Sequence, residues 1–415
     1  MENKNISEFK VSDELVKQIN QIKNEDWKNL ILGFQEKLNI KQLDLLDMAG
    51  LNKDFHVSEW ISGKRIPVFY KKFKLLEIVG KSNFNINELI SFGQFVRQGI
   101  KLNDKWISTA RSMLSKDNLE DLLIYKNNKI YLNSFRLFPE YKGRHPIRFV
   151  GFGDELIVFY DQKRSTRPTP LFLPKLIALD EIFLVGLGIY IGEGSRNRKP
   201  KVTNSEPIII SRAIKFFKLF GVKESDIKAW IQLHERSTST IEESKKYWLE
   251  NTSIKPENLL SVRIKKSTGN AKVKQFGTLH IEVYSIMFQL LISRLIEITP
   301  FLCGKLSNKE IIYFIQGLLA GEGSVGLAKS GSVNEVSYTS TRPEERVLVK
   351  NLLEKLNLKV KDYSYQFQLR MFGFDNLKSI FNMNLFKYHP LRRDKLNKGF
   401  YSLKSSLNLS NVGCL

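Results

Sequence analysis

The sequence predicts an α+β protein in which a duplicated domain follows a helical segment and a small β-rich connector. Two similar stretches, 186–194 and 315–323, each end an apolar, glycine-containing run with Gly-Glu-Gly, followed by serine. Around both stretches, helical spacing alternates with short β-branched and aromatic runs, which is typical of mixed α+β domains. Before them, residues 24–90 show helical spacing and residues 125–172 show strand-like alternation.

The N-terminal segment is predicted to contain three consecutive helices with tight connections. The first closes at Leu38-Asn39, the second covers 41–49, residues 50–52 form the turn, and the third covers 53–61. Residues 62–67 then read Ser-Gly-Lys-Arg-Ile-Pro, in which the glycine caps the helix and the proline ends the element. This run resembles the Cro-repressor-like helix-turn-helix.

The helix-turn-helix resemblance implies a recognition helix over 53–61 that contacts DNA. Val57, Trp60 and Ile61 would then face the core. Five residues are expected to meet DNA: Lys53, His56, Ser58, Lys64 and Arg65, with Glu59 also pointing outward. A purely structural or protein-binding helical bundle remains the alternative interpretation.

The connector is predicted to be a small β unit of unassigned role. Its strands are expected at 129–132, 147–151 and 155–160, where β-branched and aromatic residues alternate with polar ones. Residues 163–168 are basic and end in proline, which predicts a linker.

Both repeats are predicted to alternate helices and strands. In the first repeat we expect helix 181–192 after an N-cap at Asp180, strand 199–204, helix 207–220, strand 228–234, an inserted helix 241–251, strands 260–266 and 278–284, and helix 285–298. In the second we expect helix 308–321, strand 333–339, helix 343–356, strands 359–363 and 365–372, and helix 375–385. Two copies of this size indicate a duplicated domain and not a short-period solenoid.

The glycines in the two similar stretches predict that their helices touch. Gly188 and Gly192, like Gly317 and Gly321, are four residues apart and lie on one helix face, where missing side chains allow close backbone approach. Glu193 and Glu322 would then emerge side by side. Two like charges at that distance are costly unless divalent cations lie between them, so the pair predicts a metal site.

The doubled pattern resembles the LAGLIDADG homing endonucleases in their single-chain form, over roughly residues 175–400. That resemblance implies two αββαββα repeats related by a pseudo-two-fold axis. Glutamate stands in both repeats where the name-giving motif has aspartate. The expected domains are 1–95 helical, 96–172 connector, 173–306 and 307–404 the two repeats, and 405–415 a tail.

The resemblance also implies the chemistry of the site. Glu193 and Glu322, with the backbone carbonyls of Gly192 and Gly321, would bind Mg²⁺ or Mn²⁺, which favours hard oxygen ligands and completes its shell with water and substrate. Basic residues on neighbouring strands would assist catalysis, and the candidates are Lys272, Lys274 and Arg370. A single Gly-Glu-Gly is more often a solvated helix end, and only the matched second copy favours a site.

The overall charge favours a polyanionic partner. Lys and Arg number 65 against 43 Asp and Glu, for a net charge of +22. A generally lysine-rich proteome or an acidic membrane surface would also fit the charge, but no polybasic amphipathic helix is found. In the LAGLIDADG pattern the sheets saddle double-stranded DNA, and the residues expected to contact it are Arg196, Arg198, Lys199, Lys201, Thr203, Asn204, Tyr338, Ser340, Arg342, Arg392 and Arg393.

Other features predict the setting of the protein. The start at Met1 lacks a signal peptide, the longest apolar run (183–192) is short for a membrane span, and two distant cysteines form neither a disulfide framework nor a zinc quartet. A cytoplasmic location, no membrane partner and a monomer carrying both repeats are therefore expected. The five histidines lack metal-ligand spacing and are interpreted as structural.

The favoured hypothesis is a free-standing, sequence-specific, double-strand DNA endonuclease that uses the two glutamates and a divalent cation. Its ends show neither a splicing nucleophile nor a His-Asn dipeptide, so an intein is not expected. One alternative is a transcriptional regulator that keeps the fold without cutting, and another is a maturase that binds intron RNA.

Overall fold

The computed structural model describes residues 18–38, 42–51, 57–67, 69–81, 86–87, 89–90, 119–127, 129–138, 147–152, 155–160, 171–196, 199–266 and 273–412. The chain divides into two compact units. The N-terminal unit comprises residues 1–109 with 150–153, and the main unit comprises 110–149 with 154–415. Strands and helices together give a mixed α+β protein.

The N-terminal unit is helical, with helices α1 (Trp27–Leu38), α2 (Gln42–Met48), α3 (Val57–Ser62) and α4 (Phe69–Lys81). Trp27, Val57 and Trp60 are buried in its core, with Ile61 packed against it. Gly63 adopts a positive φ of 75° directly after α3, the left-handed conformation that glycine provides at helix ends. The helix-turn-helix itself stays a prediction, because residues 52–56, including Lys53 and His56, lie outside the described residues.

Six short strands follow: β1 (Leu123–Lys126), β2 (Lys129–Asn133), β3 (Ile147–Phe152), β4 (Glu155–Tyr160), β5 (Leu171–Pro174) and β6 (Leu176–Ala178). They belong to the main unit, except that residues 150–152 of β3 are assigned to the N-terminal unit. β2 pairs antiparallel with β1 and β6, and β4 pairs antiparallel with β5. The strands at 171–178 were not predicted, and they extend the β unit past residue 172. Leu132, Leu173 and Ile177 belong to the same hydrophobic core as the helices that follow.

The first half of the region predicted to be duplicated, residues 181–305, contains α5 (Glu181–Glu193), β7 (Lys201–Asn204), α6 (Pro207–Leu219), β8 (Ile227–His234), α7 (Ile241–Asn251), β9 (Leu259–Lys265), β10 (Thr278–Val283) and α8 (Ile286–Lys305). The Asp180 side chain caps α5 by accepting a hydrogen bond from the Phe183 amide at 3.0 Å. Thr240 and Glu243 form a capping box for α7, whose predicted bounds are confirmed.

The second half, residues 308–382, contains α9 (Asn308–Glu322), β11 (Gly323–Leu327), β12 (Val333–Thr339), α10 (Pro343–Lys355), β13 (Lys361–Tyr363), β14 (Gln368–Phe372) and α11 (Phe374–Asn382), and α12 (Pro390–Val412) follows it. Ser307 and Glu310 form the capping box that starts α9. The bounds of β12 are as predicted, whereas β11 and most of α12 were not predicted.

Each half forms a four-stranded sheet. The strand order is β7-β10-β8-β9 in the first half and β11-β12-β14-β13 in the second. β9, which follows the inserted α7, pairs parallel with β8, and the other pairings are antiparallel. Gly194 also forms an isolated bridge with Val202, next to β7.

Helix α8 runs seven residues beyond its predicted end at 298, through Pro300 to Lys305. Within the part of the chain that the structure describes, it is the one helix long and apolar enough to cross a membrane by length and composition. Half of its apolar window is buried inside the protein.

Candidate functional site

Helices α5 and α9 touch at backbone distance because glycines line their contact. A Cβ atom built on Gly188 would lie 2.3 Å from the Phe314 carbonyl oxygen, and one on Gly317 would lie 2.1 Å from the Val185 carbonyl oxygen. No real Cβ atom tolerates such distances, so only glycine fits at both positions. Both helices are apolar and buried along most of their length, which keeps this contact free of water.

The pair opens slightly toward the ends that carry the acids. A Cβ on Gly192 would lie 3.4 Å from Cγ of Glu322, and a Cβ on Gly321 would lie 2.9 Å from Cγ of Glu193. The side chains of Glu193 and Glu322 therefore lie next to each other, each packed against the last glycine of the other helix. The sequence placed these two acids together from the glycine spacing alone.

Burial and mutual repulsion make this pair reluctant to ionise. Desolvation and the charge of Glu322 raise the pKa of Glu193 to about 7, although Arg392 and a hydrogen bond from Asn204 oppose the rise. Burial also raises the pKa of Glu322, against the opposing charge of Arg392. Near neutral pH the two carboxyl groups are therefore not both ionised. A bound cation would favour their ionised forms and restore the full negative charge.

The raised pKa of Glu193 predicts an unusual dependence of stability on pH. Its usual value is 4.5, so between pH 4.5 and 7 the folded state binds more protons than the unfolded state, and stability falls as the pH rises through that window. We expect Glu193→Gln, which cannot ionise, to be more stable than wild type at pH 8 by about 1–3 kcal/mol and to be similar at pH 5.

Melting temperatures in metal-free buffer from pH 5 to 8 check this expectation. Glu257→Gln is the matched control, because Glu257 is exposed and lies outside the site. Its profile should run parallel to that of wild type. A Glu193→Gln profile that is also parallel would contradict the assigned repulsion.

Asn204, at the end of β7, orients Glu193. Its Nδ2 donates a hydrogen bond to Oε1 of Glu193 at 2.7 Å, while its Oδ1 accepts one from the Glu206 amide at 2.9 Å. The sequence analysis placed Asn204 on the DNA surface. In the structure Asn204 holds Oε1 of Glu193 in place, while its expected DNA contact stays a prediction.

Arg392, which is expected to contact the DNA backbone, lies at the end of α9. Its Nη1 donates to the carbonyl oxygens of Leu319, Ala320 and Gly321 at 2.9, 2.8 and 2.7 Å. The Leu319 carbonyl also accepts the amide of the C-cap residue Gly323, whereas Ala320 and Gly321 carry carbonyls of the kind that the last turn of a helix leaves unpaired. A cation at this end also complements the helix dipole. Arg392 is thus part of the site's interior, and the Gly321 carbonyl already has a hydrogen-bond donor.

Arg196 is bound in a similar way at the end of α5, and its expected DNA contact stays a prediction. Its Nη2 donates to the Ile191 carbonyl at 2.9 Å, and its Nη1 pairs with Glu345 at the start of α10. Glu345 also accepts hydrogen bonds from Ser340 at 2.9 Å and from Arg342 at 3.0 Å. Ser340 and Arg342 are therefore engaged inside this cluster, although Arg342 keeps part of its side chain exposed.

The remaining predicted positions divide between the surface and the core. Tyr338 is fully buried in β12 and cannot reach DNA. Lys199 is exposed, with its ammonium 3.6 Å from the ring centroid of Tyr284. In the N-terminal unit Ser58, Lys64 and Arg65 are exposed, and Arg65 forms an ion pair with Glu59 at 3.0 Å. Arg393 is partly exposed and pairs with its neighbour Asp394 at 3.5 Å.

Of the basic catalytic candidates that the structure describes, neither Arg370 nor Lys274 forms a hydrogen bond or ion pair with Glu193 or Glu322. Arg370 on β14 pairs with Glu335 at 3.4 Å and donates to Gln368 at 3.0 Å. Lys274 acts electrostatically on Glu206 and His389. Lys272, like Arg198, lies outside the described residues. The cation that the structure does bring to the acids is Arg392, which sequence analysis could not have found because about 70 residues separate it from Glu322.

The first sheet carries a ring stack on its polar face that was also missed. Trp230 and His280 stack at 3.5 Å between ring centroids, and the cations of Lys201 and Arg263 lie 5.0 and 4.2 Å from the Trp230 ring. Thr203 shares a 2.8 Å hydrogen bond with Nδ1 of His280. Burial and these two cations lower the pKa of His280 to about 3, so it is neutral and positions its neighbours.

The oxygen atoms around Glu193 and Glu322 are suitable ligands for a hard divalent cation. Two adjacent carboxylates and main-chain carbonyls are the oxygen ligands that Mg²⁺ and Mn²⁺ accept, with water and substrate filling the other positions. No third acid, histidine or cysteine joins the pair among the described residues. The structure therefore fits a cation held by few protein ligands, with the Gly321 carbonyl already used by Arg392.

One family model and several solved structures are similar to parts of this chain. Residues 309–380, from α9 into α11, match the family model of the LAGLIDADG-like domain. Among solved structures, one of mesophilic variants of the homing endonuclease I-DmoI is 16% identical, with 49% of this chain and 96% of that chain covered and a TM-score of 0.30. I-DmoI in complex with DNA and Mn is 16% identical, with 49% and 95% covered and a TM-score of 0.28. No curated protein matches the sequence.

Proposed function

We propose that this protein is a sequence-specific DNA endonuclease that hydrolyses phosphodiester bonds with a divalent cation held by Glu193 and Glu322. The observation that carries the proposal is the placement of two carboxylates side by side at the ends of glycine-packed helices. The LAGLIDADG-like match over 309–380 and the net charge of +22 support the same conclusion.

The two halves of the duplicated region are part of the proposal. Gly194 forms a bridge with Val202 and would correspond to β11 of the second half. Without β9, the order Gly194-β7-β10-β8 in the first sheet then matches β11-β12-β14-β13 in the second. α7 and β9 would then be an insertion in the first repeat. The two αββαββα repeats would then be related by a pseudo-two-fold axis, with α5 and α9 next to it.

The residues of the chain would divide the chemistry among them. When bound, Mg²⁺ or Mn²⁺ would supply a Lewis acid for the scissile phosphate and lower the pKa of a water molecule. Asn204 fixes one oxygen of Glu193, so that Oε2 is directed to the ligand or takes up a proton from attacking water. Lys199, which precedes β7, would hold the DNA backbone together with Lys201 and Arg263 of the first sheet.

The proposed partner is double-stranded DNA, and the N-terminal helices would add site recognition. One chain carries both acids, so the protein would act as a monomer, and its proposed location is the cytoplasm. A regulator that binds DNA without cutting is the second candidate. The observation in its favour is the hydrogen bond from Arg392 to the Gly321 carbonyl, which occupies an oxygen that a second cation would use.

A cleavage selection separates the two candidates. The protein is incubated with a DNA library that includes its own genomic flanks, in Mg²⁺ and in EDTA, and both fragment ends and bound DNA are sequenced. An endonuclease gives fragments with defined ends in Mg²⁺, none in EDTA, and retained binding in EDTA. Specific, tight binding in both buffers without any cutting would assign the regulator.

A further inference from the structure

We propose that the turn between β13 and β14 inserts its exposed aromatic rings into one base step of the bound DNA and unstacks that step. The turn comprises residues 363–367, Tyr-Ser-Tyr-Gln-Phe, and is called the aromatic turn. This role rests on the proposed function, because it requires double-stranded DNA at the second sheet. It adds a contact between rings and bases to the contacts between basic side chains and phosphates.

The aromatic turn presents two large rings to the solvent. Tyr365 is 75% exposed, the highest fraction among the large hydrophobic side chains of the described residues, and Phe367 is 47% exposed. Tyr363 contacts Tyr365 edge to face, with ring centroids 6.1 Å apart, and the Arg370 guanidinium lies 4.8 Å from the Tyr363 ring. Tyr363 and Arg370 therefore support the Tyr365 ring from one side while most of its surface stays open.

Phe367 has a backbone conformation that bulky side chains avoid. Its φ is 57°, in the left-handed region, where a large residue is an outlier and glycine is not. Its carbonyl accepts a hydrogen bond from the Ser340 amide at 2.9 Å, a bond that glycine would form equally well. The Arg346 guanidinium lies 5.8 Å from the ring, near the limit of a cation–π contact. Neither the backbone nor burial in the core explains this phenylalanine, so its exposed ring points to a contact outside the chain.

Cations on the same face of the sheet identify DNA as the partner. Lys361 and Arg370 are paired across β13 and β14, so their side chains lie on the same face of the sheet. The Lys361 ammonium lies 5.0 Å from the Phe372 ring. Rings interspersed with cations bind nucleobases and phosphates together, and the net charge of +22 favours the same polyanionic partner.

The aromatic turn would also select the target sequence without hydrogen bonds to bases. Inserting a ring requires a base step to open, and the free energy of opening depends on the step. The steps TA and CA/TG are the most flexible and are easily unstacked. We therefore expect one such step at a fixed position of the recognised site.

The first test measures affinity for the duplex recovered by binding in the selection, in EDTA so that no cutting occurs. We expect Tyr365→Ala to weaken binding about tenfold or more, and Tyr365→Trp, which keeps a flat ring, to stay within about threefold of wild type. Tyr125→Ala is the matched control, because it removes a similarly exposed tyrosine from β1. It should bind as wild type does. Fluorescence anisotropy of the labelled duplex gives the affinities.

Phe367→Gly separates a role in DNA binding from a role in folding. Glycine adopts the left-handed conformation freely, so the melting temperature should equal or exceed that of wild type. The affinity for the duplex should nevertheless fall about tenfold, because a ring that contacts a base is lost. A lower melting temperature with unchanged affinity would assign the ring to the fold and overturn its role in DNA binding.

The second test detects the opened base step directly. Permanganate oxidises thymines that are unstacked, and each of the flexible steps TA and CA/TG contains a thymine. At saturating protein, the wild-type complex should show a hyperreactive thymine at one step. Tyr365→Ala should lose this reactivity at the same saturation, and Tyr125→Ala should keep it.

The outcomes distinguish the aromatic turn from the function on which it rests. Wild-type binding and cutting by Tyr365→Ala, with no hyperreactive thymine in any complex, would overturn the role of the turn in DNA binding and leave an endonuclease whose exposed rings suit a protein partner. Specific binding without cutting, together with reactivity that depends on Tyr365, would overturn the endonuclease and keep the turn as a DNA contact. Absence of DNA binding by wild type would overturn both.

Discussion

Replacing Gly317 by alanine is expected to destabilise the main unit by about 3 kcal/mol or more, because overpacking a rigid contact is costly. The added Cβ would lie 2.1 Å from the Val185 carbonyl oxygen and 2.9 Å from its carbonyl carbon. Main-chain atoms inside a buried helix cannot move aside as a flexible side chain can. The two helices must therefore separate, and the buried contact between them loosens along its length.

Matched glycine-to-alanine changes make this prediction specific. Gly304 also lies in a helix, α8, but nothing stands within 4 Å of its added Cβ, so Gly304→Ala should be neutral or stabilising by up to about 1 kcal/mol. Gly188→Ala, with 2.3 Å to Phe314, should resemble Gly317→Ala. Gly192→Ala, with 3.4 Å to its nearest neighbour, should be tolerated.

Urea unfolding followed by far-ultraviolet circular dichroism ranks these variants. The expected order of stability is Gly304→Ala highest, then Gly192→Ala, with Gly188→Ala and Gly317→Ala lowest. If Gly317→Ala were as stable as Gly304→Ala, the helices could not be in backbone contact, and the placement of Glu193 beside Glu322 would lose its structural basis.

Local patterns were sufficient to predict the helix pair. Four-residue glycine spacing identifies the contact face, and Asp180 identifies where α5 starts, because both signals act within one or two helical turns. The inserted helix 241–251 was predicted for the same reason, since its capping box and apolar spacing are local. These features also fix where the two acids emerge.

Strands were harder to predict where glycine or a turn interrupts them. β11 begins Gly323-Ser324 and contains Gly326, a composition that favours other conformations, and pairing with β12 is what makes it a strand. The strand expected over 365–372 starts only at Gln368, because Phe367 adopts a left-handed φ of 57° after a 3₁₀ turn.

The roles of side chains were hard to predict where they depend on contacts with elements distant in the sequence. Polar residues precede Tyr338 in the sequence, which favoured an exposed position. In the structure β12 lies between β11 and β14, and the Tyr338 ring is buried in the core. Arg196 and Arg392 look like surface charges in sequence, yet the unpaired carbonyls of helix ends attract guanidinium groups. Which arginine reaches which helix end depends on tertiary structure.

Changing both acids to glutamine is expected to reduce cleavage by about a thousandfold or more, since the ligands that hold a charged cofactor at the reacting phosphate would be lost. Glutamine keeps the shape of the side chain, so the glycine-packed helices should remain in contact. DNA binding should be equal or tighter, because two negative charges near the DNA phosphates are removed.

The measurement is the single-turnover cleavage rate of the selected site in Mg²⁺, with affinity followed in parallel. Glu257→Gln should cut at the wild-type rate. Undiminished cutting by Glu193→Gln with Glu322→Gln would show that the catalytic site lies elsewhere, whatever the geometry of the pair.

The substitution Glu193→Gln is expected to raise stability and to lower activity. These opposite effects would indicate that Glu193 is kept for function and not for stability. A glutamate kept only for structure would stabilise the protein, and its removal would not raise stability at pH 8. Here burial and the neighbouring Glu322 raise the pKa of Glu193 to about 7, so the ionised residue destabilises the fold. A destabilising charge at Glu193 is retained when function requires it. A Glu193→Gln variant that is more stable than wild type but inactive would demonstrate this requirement.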